Sequence, residues 1–519
     1  MNVNVKNAVR VVLLGSLGCM GLVSASVQAE EVAPAAHRLS LRAFAALVSE
    51  SDETVRVQRL EQAVGNESIR SAKALFEPFV FTSLEREGMH VLNSAADAKQ
   101  RGVNPGDVYD ALETRFKSGV MVKAANGADM ELSYTASQVS NSLQPLANAP
   151  SPENKGYLGL KLTMPLMRGA GVAVNQLGTD IAQADRKVIG ESVRQQLAQR
   201  VMDGVYQYLL VQRAEERTRL RTRLHTVAAE LEKEITSQHA AGLRSATELT
   251  EARASLALRR VQLAQAQQEL EEQTNALQIF ISARERLDNA PLRHTLVMPE
   301  PLENLDWQEA VPVPSTSPEA LQQVMGRRPE TRITALRVDR EARRVEAAFD
   351  QARPEFNFTV RYGKEDLSSG YRAPSQYLGS SVPYNSWSVG LTYKVGLYGD
   401  EKRDSEYQTA LIRRRQAELA VGAIQQRVVN EVHSSQAVLE RSRQQLGRQR
   451  EIVQAQRELL GIEKNLTREG RKSAIDVMRK QQEVLTAEEA LADAEAQTAR
   501  SAYLAAQVDG RLLSLLGLE

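Results

Sequence analysis

Two stretches of this chain set a glycine, a serine and a carboxylate at one spacing: Gly242, Ser245 and Glu248, and again Gly470, Ser473 and Asp476. Glycine readily takes the left-handed conformation that ends a helix, and Ser-x-x-acid is the capping box that starts the next, the serine oxygen and the carboxylate each accepting a backbone N–H. The chemistry such groups can do is electrostatic and conformational: they hold turns and fix charge at helix ends. Covalent chemistry has no comparable constellation. The six histidines, His37, His90, His225, His239, His294 and His433, are scattered without metal-ligand spacing and read as solvated surface residues. His225 and His239 stand about 20 Å apart along a helix, too far to share a metal. HExxH, paired CxxC, G-x-S-x-G and a phosphate-cradling glycine loop are all missing from the sequence. The chain therefore reads as no enzyme, with no cofactor and no metal, and energy for any work it does must come from a partner.

The two turns must be positioned by long elements. They lie about 228 residues apart, and each joins two Leu/Ala-rich helical patterns, so each reads as the tip of a helical hairpin. A signal given twice with strand-like segments between implies a tandem repeat. From about Val172 to Ala240 the helical pattern is almost unbroken, a run on the order of 100 Å long. Beyond the first turn Leu249, Leu256, Leu263, Leu270 and Leu277 recur every seventh residue, and Leu439, Leu446, Val453 and Leu460 do so in the second half. These are coiled-coil seams, and helix packing accounts for them without a cofactor site.

Composition agrees. The 519 residues are rich in Ala, Leu, Gln, Glu and Arg, with only 5% aromatics. Lysine plus arginine and aspartate plus glutamate each number 65, for a formal charge of zero, which argues against a polyanion-binding protein. The run Arg413-Arg414-Arg415 reads as a solvated or interchain salt-bridging face, and no nucleic-acid partner is expected. Lys6 and Arg10 precede an apolar stretch and the small-x-small end Val27-Gln28-Ala29, predicting a signal peptide over 1–29 and a mature chain from Glu30. Cys19, the only cysteine, offers a competing lipidated N-terminus, although Ser16 stands where such signals normally carry Leu.

The segments between helices alternate. A helical pattern from Leu39 to Leu75 stops at Phe76-Glu77-Pro78, and one from Glu330 to Gln351 stops at Arg353-Pro354-Glu355. Phe116 to Lys123 and Met130 to Gln138 flank Asn126-Gly127, a strong hairpin signal. Tyr157 to Met164, Phe356 to Tyr362 and Trp387 to Val395 each put apolar and aromatic residues on one face and small or polar ones on the other. No later segment has the roughly 18 apolar residues of a membrane-spanning helix, so membrane contact must come from strands or a surface helix. A soluble sheet would need a covering layer, yet the neighbouring helices have seams of their own. A transmembrane barrel with lipid outside and water inside fits better. Each repeat supplies too few strands to close one, and open edges cannot face lipid, so the chain must oligomerise.

In the order of these features the chain resembles the TolC-type outer-membrane channels of bacterial efflux and type I secretion systems. The resemblance runs from about Leu39 to Leu516 and rests on the junctions at Pro78 and Pro354, the stretch Leu162-Thr163-Met164-Pro165-Leu166-Met167-Arg168-Gly169, Arg328-Pro329-Glu330 and the two tips. It implies a mainly α protein with β, its long helical coiled-coil hairpins forming a periplasmic tunnel and its strands entering one shared 12-stranded barrel of a homotrimer in outer-membrane lipid. It implies a passive exit duct whose tips, at Gly242, Ser245, Glu248, Gly470 and Ser473, face a periplasmic adaptor protein and an inner-membrane transporter. The family narrows its tunnel just after the second turn, often with two acids three residues apart. Here Asp476 matches the first and Arg479 stands at the second, so Asp476, Arg479 and Lys472 are the expected constriction, and Asp476 also reads as a helix cap.

The expected division is a signal peptide over 1–29, a first repeat over 30–288, a connecting segment over 289–328 and a second repeat over 329–519. The first repeat is longer between its Pro and its returning strand by about 45 residues, which hold the Asn126-Gly127 hairpin. That hairpin either lengthens two barrel strands beyond the membrane, the preferred reading, or adds strands, in which case a count of 12 fails. A periplasmic adaptor and a trimeric coiled-coil adhesin are the alternatives. The first would need lipoyl-like segments around a single hairpin, and the second a parallel stalk without duplicated turns. Cargo, whether drug, metal ion or polypeptide, is not legible.

Overall fold

The computed structural model describes residues 37–145, 147, 149, 151–280, 297–300, 316–368, 370–378, 382, 384–397, 399–469 and 471–518. The signal segment, Cys19, Gly470 and most of 289–315 lie outside the described residues.

A short strand β1 (His37–Leu39) leads into α1 (Leu41–Ser51) and α2 (Glu53–Lys73). The single helix expected over Leu39–Leu75 is thus two helices. The break falls at Asp52, which leaves helical geometry and caps α2, its carboxylate accepting the N–H groups of Thr54 at 2.9 Å and Val55 at 3.3 Å. The same carboxylate pairs with Arg200 at 2.7 Å, so the kink is fastened to the neighbouring helix.

After Pro78 come β2 (Phe79–Leu92), a short helix α3 (Ala95–Arg101), β3 (Val108–Lys123), β4 (Asp129–Asn141) and β5 (Glu153–Pro165). Two helices, α4 (Val172–Ala240) and α5 (Ala246–Gln278), form the first long hairpin. Strand β6 (Val297–Pro299) pairs in parallel with β1. Then follow α6 (Pro318–Arg327), α7 (Pro329–Ala352), β7 (Glu355–Ser368) and β8 (Asn385–Lys394). The second hairpin is α8 (Glu401–Arg468) with α9 (Ala474–Val508), and a last turn α10 (Leu512–Leu515) ends the order.

Four helices stand side by side at each level. Near the sheet the order is α2, α4, α7, α8, and toward the tips it is α5, α4, α9, α8. The seams lie where the seven-residue spacing puts them: Leu249 and Leu277 are buried on α5, and Leu439, Leu446 and Val453 on α8. The largest core sits midway, where Phe44, Val48, Tyr208, Leu277, Leu439 and Leu512 bring both repeats together around the β1–β6 pair. Tyr208 Oη donates to Leu39 O at 2.8 Å and accepts from Glu300 N–H at 3.0 Å, tying the pair to α4.

The strands make one antiparallel sheet in the order β2-β3-β4-β5-β7-β8. This corrects the expectation for the extra hairpin: β3 and β4 are full members of the sheet. β3 pairs with β2 from Val108 to Met121, and β4 pairs with β5 from Asp129 to Val139. A local Asn-Gly signal reveals a hairpin but not its neighbours, which are set by pairing at long range. One ladder row crosses all six strands as Val80, Val120, Leu132, Leu160, Tyr362 and Trp387, each exposed. The opposite face is polar: Lys117 pairs with Glu131 at 2.7 Å, and Arg115 with Glu113 at 2.8 Å and Glu85 at 3.5 Å. Among the described residues no helix is long and apolar enough to cross a membrane.

The junction between sheet and helices is where the repeats are fastened. Leu166 N–H donates to Phe356 O at 2.7 Å, Arg168 pairs with Glu355 at 2.5 Å, and Gly169 N–H donates to the Asp350 carboxylate at 2.9 Å. Arg328, opening the second repeat, is largely buried and pairs with Glu330 at 3.2 Å and Glu431 at 2.5 Å.

Candidate functional site

The tip of the first hairpin ends α4 in a Schellman turn. Gly242 has φ 74°, a left-handed value, and the N–H groups of Gly242 and Leu243 donate back to His239 O at 2.9 Å and Gln238 O at 2.8 Å. Leu243, the next residue, is 75% exposed at the apex. The capping box then starts α5: Ser245 Oγ accepts from Glu248 N–H at 3.2 Å, and Glu248 Oε2 accepts from Ser245 N–H at 3.0 Å. That backbone N–H, with Arg244 beside it, holds the Glu248 carboxyl below the usual range.

At the second tip Gly470 lies outside the described residues, but Arg471 N–H donates to Leu466 O at 2.9 Å, the same backward bond across the turn. The reciprocal box of Ser473 and Asp476 starts α9, with Ser473 N–H donating to Asp476 Oδ2 at 3.2 Å. Lys472 pairs back onto α8 through Glu463 at 3.5 Å. Arg479 is exposed and forms no ion pair with Asp476 within the chain, among the described residues. The structure therefore brings Ser473 and Asp476 together, turns Lys472 back onto Glu463, and leaves Arg479 exposed.

A residue that the spacing did not single out joins the two tips. Arg244 reaches across the hairpins, its Nη2 donating to Ser473 Oγ at 3.1 Å, while Nη1 pairs with Glu248 at 2.9 Å and Nε donates to Gln238 Oε1 at 3.0 Å. Nothing local to Arg244 signals this, since its partner is 229 positions away. Above it Ile475 packs with Leu231, Ile235, Leu249 and Ala252, so the tips share a small core.

About 20 Å farther from the tips, by helical rise, Glu489 of α9 is buried between Arg217 at 2.7 Å and Arg221 at 2.8 Å, both on α4. Arg217 also pairs with Glu269 of α5 at 2.9 Å. Burial pushes the Glu489 carboxyl up, but the hydrogen bonds from Arg221 and Arg217 outweigh it and hold the group below its ordinary range. Arg217, bound to the carboxylates of both Glu489 and Glu269, links three helices. The arrangement holds the two hairpins against each other.

Residues 320–507 match the outer membrane efflux protein family. No curated protein sequence matches the chain significantly. Among solved structures, a membrane protein from Pseudomonas aeruginosa superposes with a TM-score of 0.62 at 16% identity, covering 92% of this chain and 93% of that one. The Campylobacter jejuni CmeC outer membrane channel gives 0.62 at 14% identity over 91% and 86% of the chains. The open state of the Neisseria gonorrhoeae MtrE outer membrane channel gives 0.59 at 15% identity over 91% and 89%.

Proposed function

We propose that the chain, whose residues 320–507 match the outer membrane efflux protein family and whose fold is shared with solved outer membrane channels, is the exit duct of a tripartite efflux or type I secretion system. The observation that carries this reading is the sheet: an exposed apolar face continues across every strand, and both its edges, β2 and β8, are unpaired among the described residues. Hydrocarbon tolerates the apolar face but not the open edges. Identical copies closing on one another satisfy both, so the working form is a homotrimer in outer-membrane lipid with its helices extending into the periplasm. Residues 30–288 and 329–519 act as two repeats joined by 289–328.

The tips are the gate in this reading. Gly242, Ser245 and Glu248, with Gly470 and Ser473, shape the surface offered to a periplasmic adaptor, and Leu243 is its apolar point. Asp476, Arg479 and Lys472 face the axis, and engagement by the adaptor and inner-membrane transporter loosens the Arg244 link so that the hairpins part. The duct is passive and performs no catalysis.

Purified signal-free protein should migrate as a trimer in mild detergent and give discrete conductance steps in planar bilayers. A freely soluble monomer without affinity for detergent would end the proposal, and would leave the adaptor and adhesin readings to be tested.

A further inference from the structure

We infer that the shared barrel has eighteen strands and that its bore suits a polypeptide leaving with secondary structure already formed; the inference rests on the trimeric duct proposed above. Each copy brings six strands to one sheet. The count is even, so β2, running away from the helices, and β8, running back toward them, meet antiparallel at every junction between copies.

The inserted hairpin is placed to be part of the wall. Its residues Val120 and Leu132 continue the exposed apolar row that Val80 begins and Trp387 ends. Its turn also sits at the helix-side rim of the sheet, where Gly171 N–H donates to Asn126 O at 3.1 Å and a side chain on Gly127 would strike the Gly169 carbonyl. A hairpin that merely overhung the membrane would contact neither.

Girth gives an independent argument. Strands about 4.8 Å apart and tilted about 40° each take up roughly 6 Å of circumference, so six span about 38 Å. Four helices side by side, at 8 to 10 Å each, span roughly 32 to 40 Å. At this tilt sheet and helical wall match within one copy. Three copies of six strands close at a backbone diameter of about 36 Å, leaving about 26 Å clear once a layer of side chains about 5 Å deep is allowed. Twelve strands would leave roughly 14 Å on the same basis. An α-helix with side chains is about 10 to 12 Å wide, so the narrower bore admits one helix and the wider one a helical hairpin. Charges on the polar face pair with one another, Lys117 with Glu131 and Arg115 with Glu85 across strands, and Arg115 with Glu113 along β3.

Two experiments on the full chain test this. Electron images of detergent-solubilised trimers viewed down the axis should show a ring about 36 Å across. A threefold ring near 24 Å, with the hairpin outside it, overturns the inference and leaves the duct reading standing, whereas particles without a threefold ring overturn the duct reading itself. In planar bilayers, a disulfide-closed helical hairpin peptide about 20 Å wide, added from the barrel side, should produce current blockades as a linear peptide does. Blockade by the linear peptide alone refutes the wide bore. Val120→Arg supplies a check on placement: it should reduce trimer assembly in membranes at least tenfold, and normal assembly would show that the inserted hairpin does not face lipid.

Discussion

Removing the Arg244 side chain should open the duct. The guanidinium makes the one hydrogen bond described between the two turns themselves, to Ser473 Oγ at 3.1 Å, and it also pairs with Glu248 at 2.9 Å. A hydrogen bond from a charged donor contributes about 1.5 to 3 kcal/mol when sheltered. With the Arg244 side chain 27% exposed, screening reduces that to about 1 kcal/mol. Glu248 keeps its backbone partner, Ser245 N–H, so Arg244→Ala leaves no carboxylate stranded. If three tips part together, the loss of about 3 kcal/mol per trimer favours the open state by roughly 150-fold. The assay is the fraction of time that single reconstituted trimers conduct, with thermal unfolding as a control, since helix packing away from the tip is untouched. Intact Arg244→Ala trimers that open no more often than the parent would refute the argument, because the link would then hold nothing.

Gly242→Val should strain the first turn by about 1 to 2 kcal/mol, since φ 74° is a left-handed value that a β-branched side chain resists; adaptor pull-down should weaken while the trimer persists. Glu489→Gln should lower stability by on the order of 2 kcal/mol at neutral pH through loss of two charged hydrogen bonds, read as a drop in unfolding midpoint. Because the Glu489 carboxyl is held below its ordinary range, its contribution is complete above the unfolded pKa of about 4.3 and is lost as pH falls through the folded value. The parent should therefore lose more midpoint than Glu489→Gln on acidification below about pH 5, and parallel losses would exclude the clamp. Gly127→Ala places a methyl group against the Gly169 carbonyl at φ 90°, so insertion into outer membranes should fall while the soluble helical signal in circular dichroism is retained.

What could be read in the sequence was what neighbours along the chain decide. The long helix from Val172 to Ala240, the Gly242 turn and both capping boxes depend on residues within a few positions of one another. Strand alternation and the Asn126-Gly127 turn were legible for the same reason, although β3 and β4 run past the expected ends to Val108 and Asn141. The kink at Asp52 was hidden because Asp within a helical pattern signals a cap only when the chain actually breaks there. Strand order was not legible: whether β3 and β4 join β2 and β5 or stand clear is settled by partners far apart. The role of Arg244 is illegible for a related cause, since an arginine in a turn has many possible partners and its neighbours in sequence do not say which one the fold delivers.

The inserted pair of strands goes out and returns, so the chain re-enters its original path at β5 with direction unchanged, and everything downstream keeps its place. A chain built this way can widen its sheet by lengthening one segment while the helical hairpins and their turns keep their order. Bore and regulation would then be free to evolve on separate schedules.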